Sequence, residues 1–152
     1  MAMIHFNYFL SFMMIGSFVI QYSIMSYIMT NNIENIQPSL GKLYISAIMS
    51  FIMGILEVFM HTFMNMTKHS YFYYLSYYIP LFSLLILFIW LYKKQIGVTD
   101  NQYLNEMIEH HDMALLTSKE ILKKTKNPKV KLLATKIIKT QEKEIQIMNS
   151  MI

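Results

Sequence analysis

The chain has 152 residues, 55% of them apolar, no cysteine, no arginine and a net charge of +4 carried by lysine alone. Those counts exclude disulfides, thiolate zinc sites, iron–sulfur clusters and cysteine nucleophiles. No basic, aromatic-interleaved patch suggests a nucleic-acid partner, and lysines of this kind suit anionic lipid headgroups better.

The charge is unevenly placed. Of 9 acidic residues only Glu34 and Glu57 precede position 100, and of 13 lysines only Lys42, Lys68, Lys93 and Lys94 do. The predicted organisation is therefore a three-span transmembrane region over residues 1–97 and a soluble helical hairpin over 98–152. Three apolar stretches, residues 4–28, 43–66 and 73–92, each approach the roughly 20 residues that cross a bilayer. The first lacks a positive n-region and a small-x-small cleavage site, so it reads as a retained anchor rather than a signal peptide. A polar turn over residues 30–39, stopped by Pro38, joins the first two spans, and Thr67, Lys68, His69 and Ser70 join the second and third. Tyr71, Tyr73, Tyr74, Tyr77 and Tyr78 gather at one end of the third span, and Trp90 and Tyr92 at the other, as an aromatic belt would. Pro80 kinks that helix or marks its start.

Within the spans, Glu57 and His61 lie four apart on one face, bordered by Met49, Met53, Met60 and Met64. Asn7, Met14, Ser17, Gln21 and Met25 share a side of the first span. An ionisable group inside a span is costly, which makes Glu57, His61 and Gln21 a candidate intramembrane polar site. The plainer alternative is that they only glue helices together by hydrogen bonds.

Beyond Lys94 the pattern turns amphipathic. Thr99 and Gln102 fit a capping box opening a helix that runs to about Lys124, with Leu104, Met107, Ile108, His111, Leu115, Ser118 and Leu122 on one face. Asn127 and Pro128 open a last helix carrying Val130, Leu133, Ala134, Ile137, Ile138, Gln141, Glu144, Ile145 and Met148. Two helices cannot bury a full core alone, so self-association into a four-helix-type bundle is the economical completion of this all-α fold.

The chemistry concentrates in this hairpin. Met107 lies one turn before His110 and His111, Met113 follows His110 by three, and Gln141, Glu144 and Met148 form a stripe on the facing helix. Imidazole serves either copper state, thioether favours Cu(I), and Glu144 can ligate or orient a histidine. The candidate metal residues are thus His110, His111, Met107, Met113, Glu144 and Met148, with a copper ion as the expected cofactor. The 15 methionines fit a thioether supply, although an AT-rich base composition would also enrich them, and chance core packing of Met and His is the competing account.

Met107-Ile108-Glu109-His110-His111-Asp112-Met113-Ala114, followed by Gln141-x-x-Glu144-Ile145-x-x-Met148, resembles Domain of Unknown Function 305 over about fifty residues. The three apolar spans resemble that family's membrane-anchored branch. The resemblance implies a ferritin-like helical bundle with copper-associated members, and functional positions at Met107, His110, His111, Glu144 and Met148. The family often has Pro where this chain has Glu109, and Met where it has Thr117.

The expected function is copper binding, sequestration or handover by a membrane-anchored homo-oligomer, without catalysis. The alternatives are a structural assembly protein whose histidines are satisfied inside the bundle, and, more weakly, a ferritin-like redox enzyme. Lysine counting alone puts the hairpin on the cytoplasmic side. The resemblance implies an extracytoplasmic one, and that is the expected placement.

Overall fold

The computed structural model describes residues 2–64 and 70–152. It is helical throughout, with no strand among the described residues. The order is α1 (Ala2–Val19), a π-helical segment (Ile20–Ile24), α2 (Met25–Met29), a 3-10 turn (Ile33–Asn35), α3 (Leu40–Met64), α4 (Tyr71–Lys93), α5 (Asp100–Lys124) and α6 (Pro128–Asn149). Three stretches, Phe6–Met29, Leu40–Met64 and Tyr71–Lys93, are long and apolar enough to cross a membrane. The end of the second predicted span and the turn at residues 67–69 lie outside the described residues, while Ser70 is the N-cap of α4. Pro80 sits inside a continuous α4.

The chain divides into two compact units, Met1–Ile24 with Lys42–Ile96, and Met25–Gly41 with Gly97–Ile152. In the first, α3 is the central helix because small residues at four-residue spacing let its neighbours close in. Ser46, Ser50 and Gly54 are buried along that line. The Ser50 hydroxyl donates to the Met14 carbonyl of α1 at 2.7 Å. A Cβ at Gly54 would stand 2.9 Å from Met14 Sδ and 3.4 Å from Leu81 Cδ2 of α4, so both neighbours meet at this glycine. Phe6, Leu10, Val58, Tyr74 and Leu81 form the core beside it. The Tyr77 hydroxyl donates to Asn7 Oδ1 at 2.7 Å, tying α4 to α1. The outer surface is apolar: Phe12, Phe63 and Phe72 are 73%, 71% and 79% exposed. A helix that is apolar all round belongs in a core or in lipid.

α4 closes with Gln95 in the left-handed region (φ 51°), its N–H donating to Tyr92 O while Ile96 N–H donates back to Leu91 O. This is the Schellman arrangement with Gln in the position that usually takes Gly.

In the second unit, α5 starts as its sequence predicts. The Thr99 hydroxyl accepts from Gln102 N–H, and the Gln102 side chain accepts from Thr99 N–H. Asn127 caps α6 through Lys129 N–H at 2.9 Å, with Pro128 at the first helical position. The two helices pack antiparallel around Ile108, Leu115, Ile145 and Met148, with Leu104, Met107 and Ile138 against them. Leu133, one of the apolar residues that α6 carries, is 58% exposed, because it lies one position off the Ala134, Ile138, Ile145 row. The polar turn after the first span belongs to this unit: α2 and the 3-10 turn both pack on α5.

Candidate metal site on the helical hairpin

His111 sits on the packed face of α5, one turn beyond Met107. Its Nδ1 is closed off from solvent, lacks a hydrogen-bond partner and lies 3.7 Å from Glu144 Oε2 on α6. That distance exceeds hydrogen-bond reach. Gln141, one turn before Glu144, also presents a solvent-excluded Oε1 with no hydrogen-bond partner. Burial pushes the His111 pKa below the ordinary imidazole value; Glu144 pulls it back up and His110 lowers it further. The ring is therefore neutral at physiological pH, which leaves one nitrogen lone pair free to accept a proton or a metal. An imidazole nitrogen held away from water without a partner fits a borderline or soft cation.

The other predicted residues distribute around this point. Met148, 9% exposed, and the half-buried Met107 belong to the same apolar cluster as Ile108 and Ile145. His110 is exposed, its ring centroid 6.1 Å from that of His111. Met113 is two residues past His111, about 200° round the helix, so it projects from the other side of α5. Among the described residues there is no cluster of three or more His, Asp and Glu within one chain that could hold a metal. What one chain assembles is an imidazole and a carboxylate, with thioethers one turn away.

In the apolar unit, the His61 ring lies against Phe6 of α1, 4.0 Å between centroids and tilted by 32°. Glu57 is half-buried one turn before it. Gln21 precedes Tyr22, whose ring lies 5.4 Å below Lys42 Nζ at the start of α3. At 1.5 Å rise per residue, Lys42 and His61 stand about 28 Å apart along α3, so Gln21 occupies the opposite end of this helix pair. Met49, Met60 and Met64 face outward, at 38%, 48% and 76% exposure.

The residue beside the site that sequence reasoning missed is Asp112. It is fully buried, and its carboxylate accepts from Asn32 N–H at 2.7 Å and Asn35 Nδ2 at 3.0 Å. One carboxylate thereby clamps the 3-10 turn onto the helix that carries His111. A signal was present: an acid between Ile108 and Leu115 on an apolar stripe needs donors, and the turn 31–35 holds three asparagines. On the same helix, the half-buried Glu106 lies against Gly41, where a Cβ would collide with its carboxylate. Burial raises the Glu106 pKa, Glu109 raises it further and His110 lowers it.

Comparison with known proteins places these features. Residues 91–152 match the family model described as "Domain of unknown function (DUF305)". Over 141 residues the chain is 34% identical to "Uncharacterized protein L153" of Acanthamoeba polyphaga mimivirus, a match covering 92% of this chain and 88% of that protein. No solved structure matches the chain.

Proposed function

This chain belongs to one family with that mimivirus protein and carries the DUF305 domain in its C-terminal part, and from this premise we propose that it is a membrane-anchored copper-binding protein. The observation that carries the reading is the solvent-excluded Nδ1 of His111, held without a hydrogen-bond partner 3.7 Å from Glu144. His110, Met107 and Met148 supply further nitrogen and thioether donors within a turn of that pair, and Met113 adds one on the far side of α5. Such a donor set favours copper over harder cations. The protein binds, stores or hands over the ion, and α5 and α6 pair with those of another copy in a four-helix-type bundle.

The apolar spans sit in the bilayer, a reading supported by their exposed phenylalanines, and the hairpin lies on the extracytoplasmic side. A single cysteine introduced at Lys143 of this cysteine-free chain reports that side by its labelling with a membrane-impermeant maleimide.

The copper reading is tested by titrating purified full-length protein with Cu(I) and Cu(II), beside His110→Ala/His111→Ala, and by metal analysis of the protein as isolated. The expected result is wild-type binding that the double variant loses. Binding that survives intact in the double variant removes the site. The assembly reading has support of its own, since Met107 and Met148 already serve the apolar core. It wins if no metal binds and the double variant changes oligomeric state. Oxygen consumption with bound iron would favour a ferritin-like enzyme.

A further inference from the structure

The hairpin has a second row of side chains beside the one that packs α5 on α6. On α5 the row is Tyr103, Met107, His110, Ala114, Thr117 and Ile121; on α6 it is Leu133, Ile137, Thr140, Glu144, Ile147 and Met151. Both rows step by four and three residues alternately, the spacing of a coiled-coil seam. In both, the row trails the packed row by one position, and for two antiparallel helices that puts both rows on the same side of the hairpin. The His111–Glu144 contact lies on this side. Asp112 with its turn, and the Lys119–Glu142 ion pair at 3.3 Å, lie on the other. The side is open: Tyr103, Ile121, Leu133, Ile147 and Met151 are between 42% and 63% exposed, and Glu144 is 44% exposed.

We propose that this face is where two copies of the chain pair, each placing its α5 over the α6 of the other, so that His110 of one copy completes the His111–Glu144 site of its partner. The occupant follows from the pattern of charge. The His111–Glu144 contact sets the level of the two helices. Counting outward from it to the nearest row positions pairs Tyr103 with Met151, Met107 with Ile147, Ala114 with Thr140, Thr117 with Ile137 and Ile121 with Leu133, so apolar stands opposite apolar at both ends and the two threonines lie between. His110 stands opposite Glu144 in the middle. A two-fold axis parallel to the helices preserves these levels and lays each residue over its opposite number in the second copy. Imidazole over carboxylate is then complementary, as a hydrogen-bonded pair or with a cation between them. A lipid surface would have to take a carboxylate in the centre of its contact, which is costly. The pairing stands on the seam alone; only the composite metal site rests on the copper reading.

The pairing is tested without metal. Two differently tagged full-length chains, one with Ile121→Cys and one with Leu133→Cys, are co-expressed and oxidised in the membrane. The expected result is a mixed disulfide several-fold above that of a control pair on the other face, Lys119→Cys with Glu142→Cys. Ile147→Glu, an exposed change that leaves the hairpin core alone, should abolish the cross-link while preserving helical content. Equal cross-linking from both faces, or a cross-link indifferent to Ile147→Glu, overturns the pairing, as does loss of membrane association in Ile147→Glu with the oligomer intact.

The composite site is tested by mixing. His110→Ala and Glu144→Ala chains each lose copper binding as homodimers. Random pairing of the two regenerates one intact site in each mixed dimer, about a quarter of the wild-type capacity overall. A mixture that binds only the average of its two components overturns the shared site and leaves the cross-linking result standing.

Discussion

Removing the Asp112 carboxylate should free the turn between the first two spans while leaving the hairpin folded. The side chain is fully buried and accepts two hydrogen bonds, from Asn32 N–H at 2.7 Å and Asn35 Nδ2 at 3.0 Å. A hydrogen bond to a charged group contributes about 1.5–3 kcal/mol. Asn32 is exposed and Asn35 half-buried, so both donors regain water once released, which pulls the total to about 2–3 kcal/mol for Asp112→Ala. At about 1.36 kcal/mol per decade this lowers protection of the turn roughly 30- to 150-fold. Asp112→Asn keeps one acceptor oxygen and should fall between. The assay is hydrogen–deuterium exchange by mass spectrometry on the full chain in nanodiscs, comparing residues 30–39 with the α5–α6 core. Wild-type exchange across 30–39 in Asp112→Ala, with the core still protected, would refute the clamp.

Two further outcomes follow from the packing and the electrostatics. Gly54→Ala should be near neutral in unfolding titrations with a denaturing detergent, because a helix-propensity gain of about 0.5–1 kcal/mol offsets the shift asked of the flexible Met14 side chain; Gly54→Leu must push α1 and α4 from α3, should cost at least about 2 kcal/mol, and a stable Gly54→Leu would mean the helices do not meet there. For His111 the folded pKa is depressed, so the unfolded chain binds more protons as pH falls through about 6.5 and the hairpin loses stability in that direction. His111→Gln should flatten the stability profile between about pH 7 and pH 5, and an NMR midpoint for the His111 ring at or above the ordinary value would contradict the burial argument.

Local signals carried much of this architecture. The Thr99–Gln102 box and the Asn127–Pro128 start were readable because a cap needs only neighbours within a turn. The three long apolar helices were readable because length and apolarity suffice to mark them. The π-helical segment at Ile20–Ile24 left no such mark, having neither proline nor glycine to announce it. The shared face of His111 and Glu144 was legible from helical spacing, and so was the row carrying Met148. The partner of Asp112 was not, because its donors lie 80 and 77 residues earlier, and no periodic pattern links a turn to a helix so far away. Gln21 and Glu57 were grouped as polar positions on two helical stripes, yet the antiparallel register of α1 and α3 sets them at different levels.

The clamp also orders events during synthesis. Asn32 leaves the ribosome 80 residues ahead of the carboxylate that will hold it, an interval of about 4–16 s at common elongation speeds. Throughout that time the linker has no mate, and both of the following long apolar helices emerge before its partner does. A polypeptide cut to begin at Val98 would emerge with the opposite deficit: Asp112 without its two donors, on a face of α5 stripped of the turn that covers it. Recombinant fragments of this hairpin should therefore be joined to residues 25–41 if they are to be soluble and monodisperse.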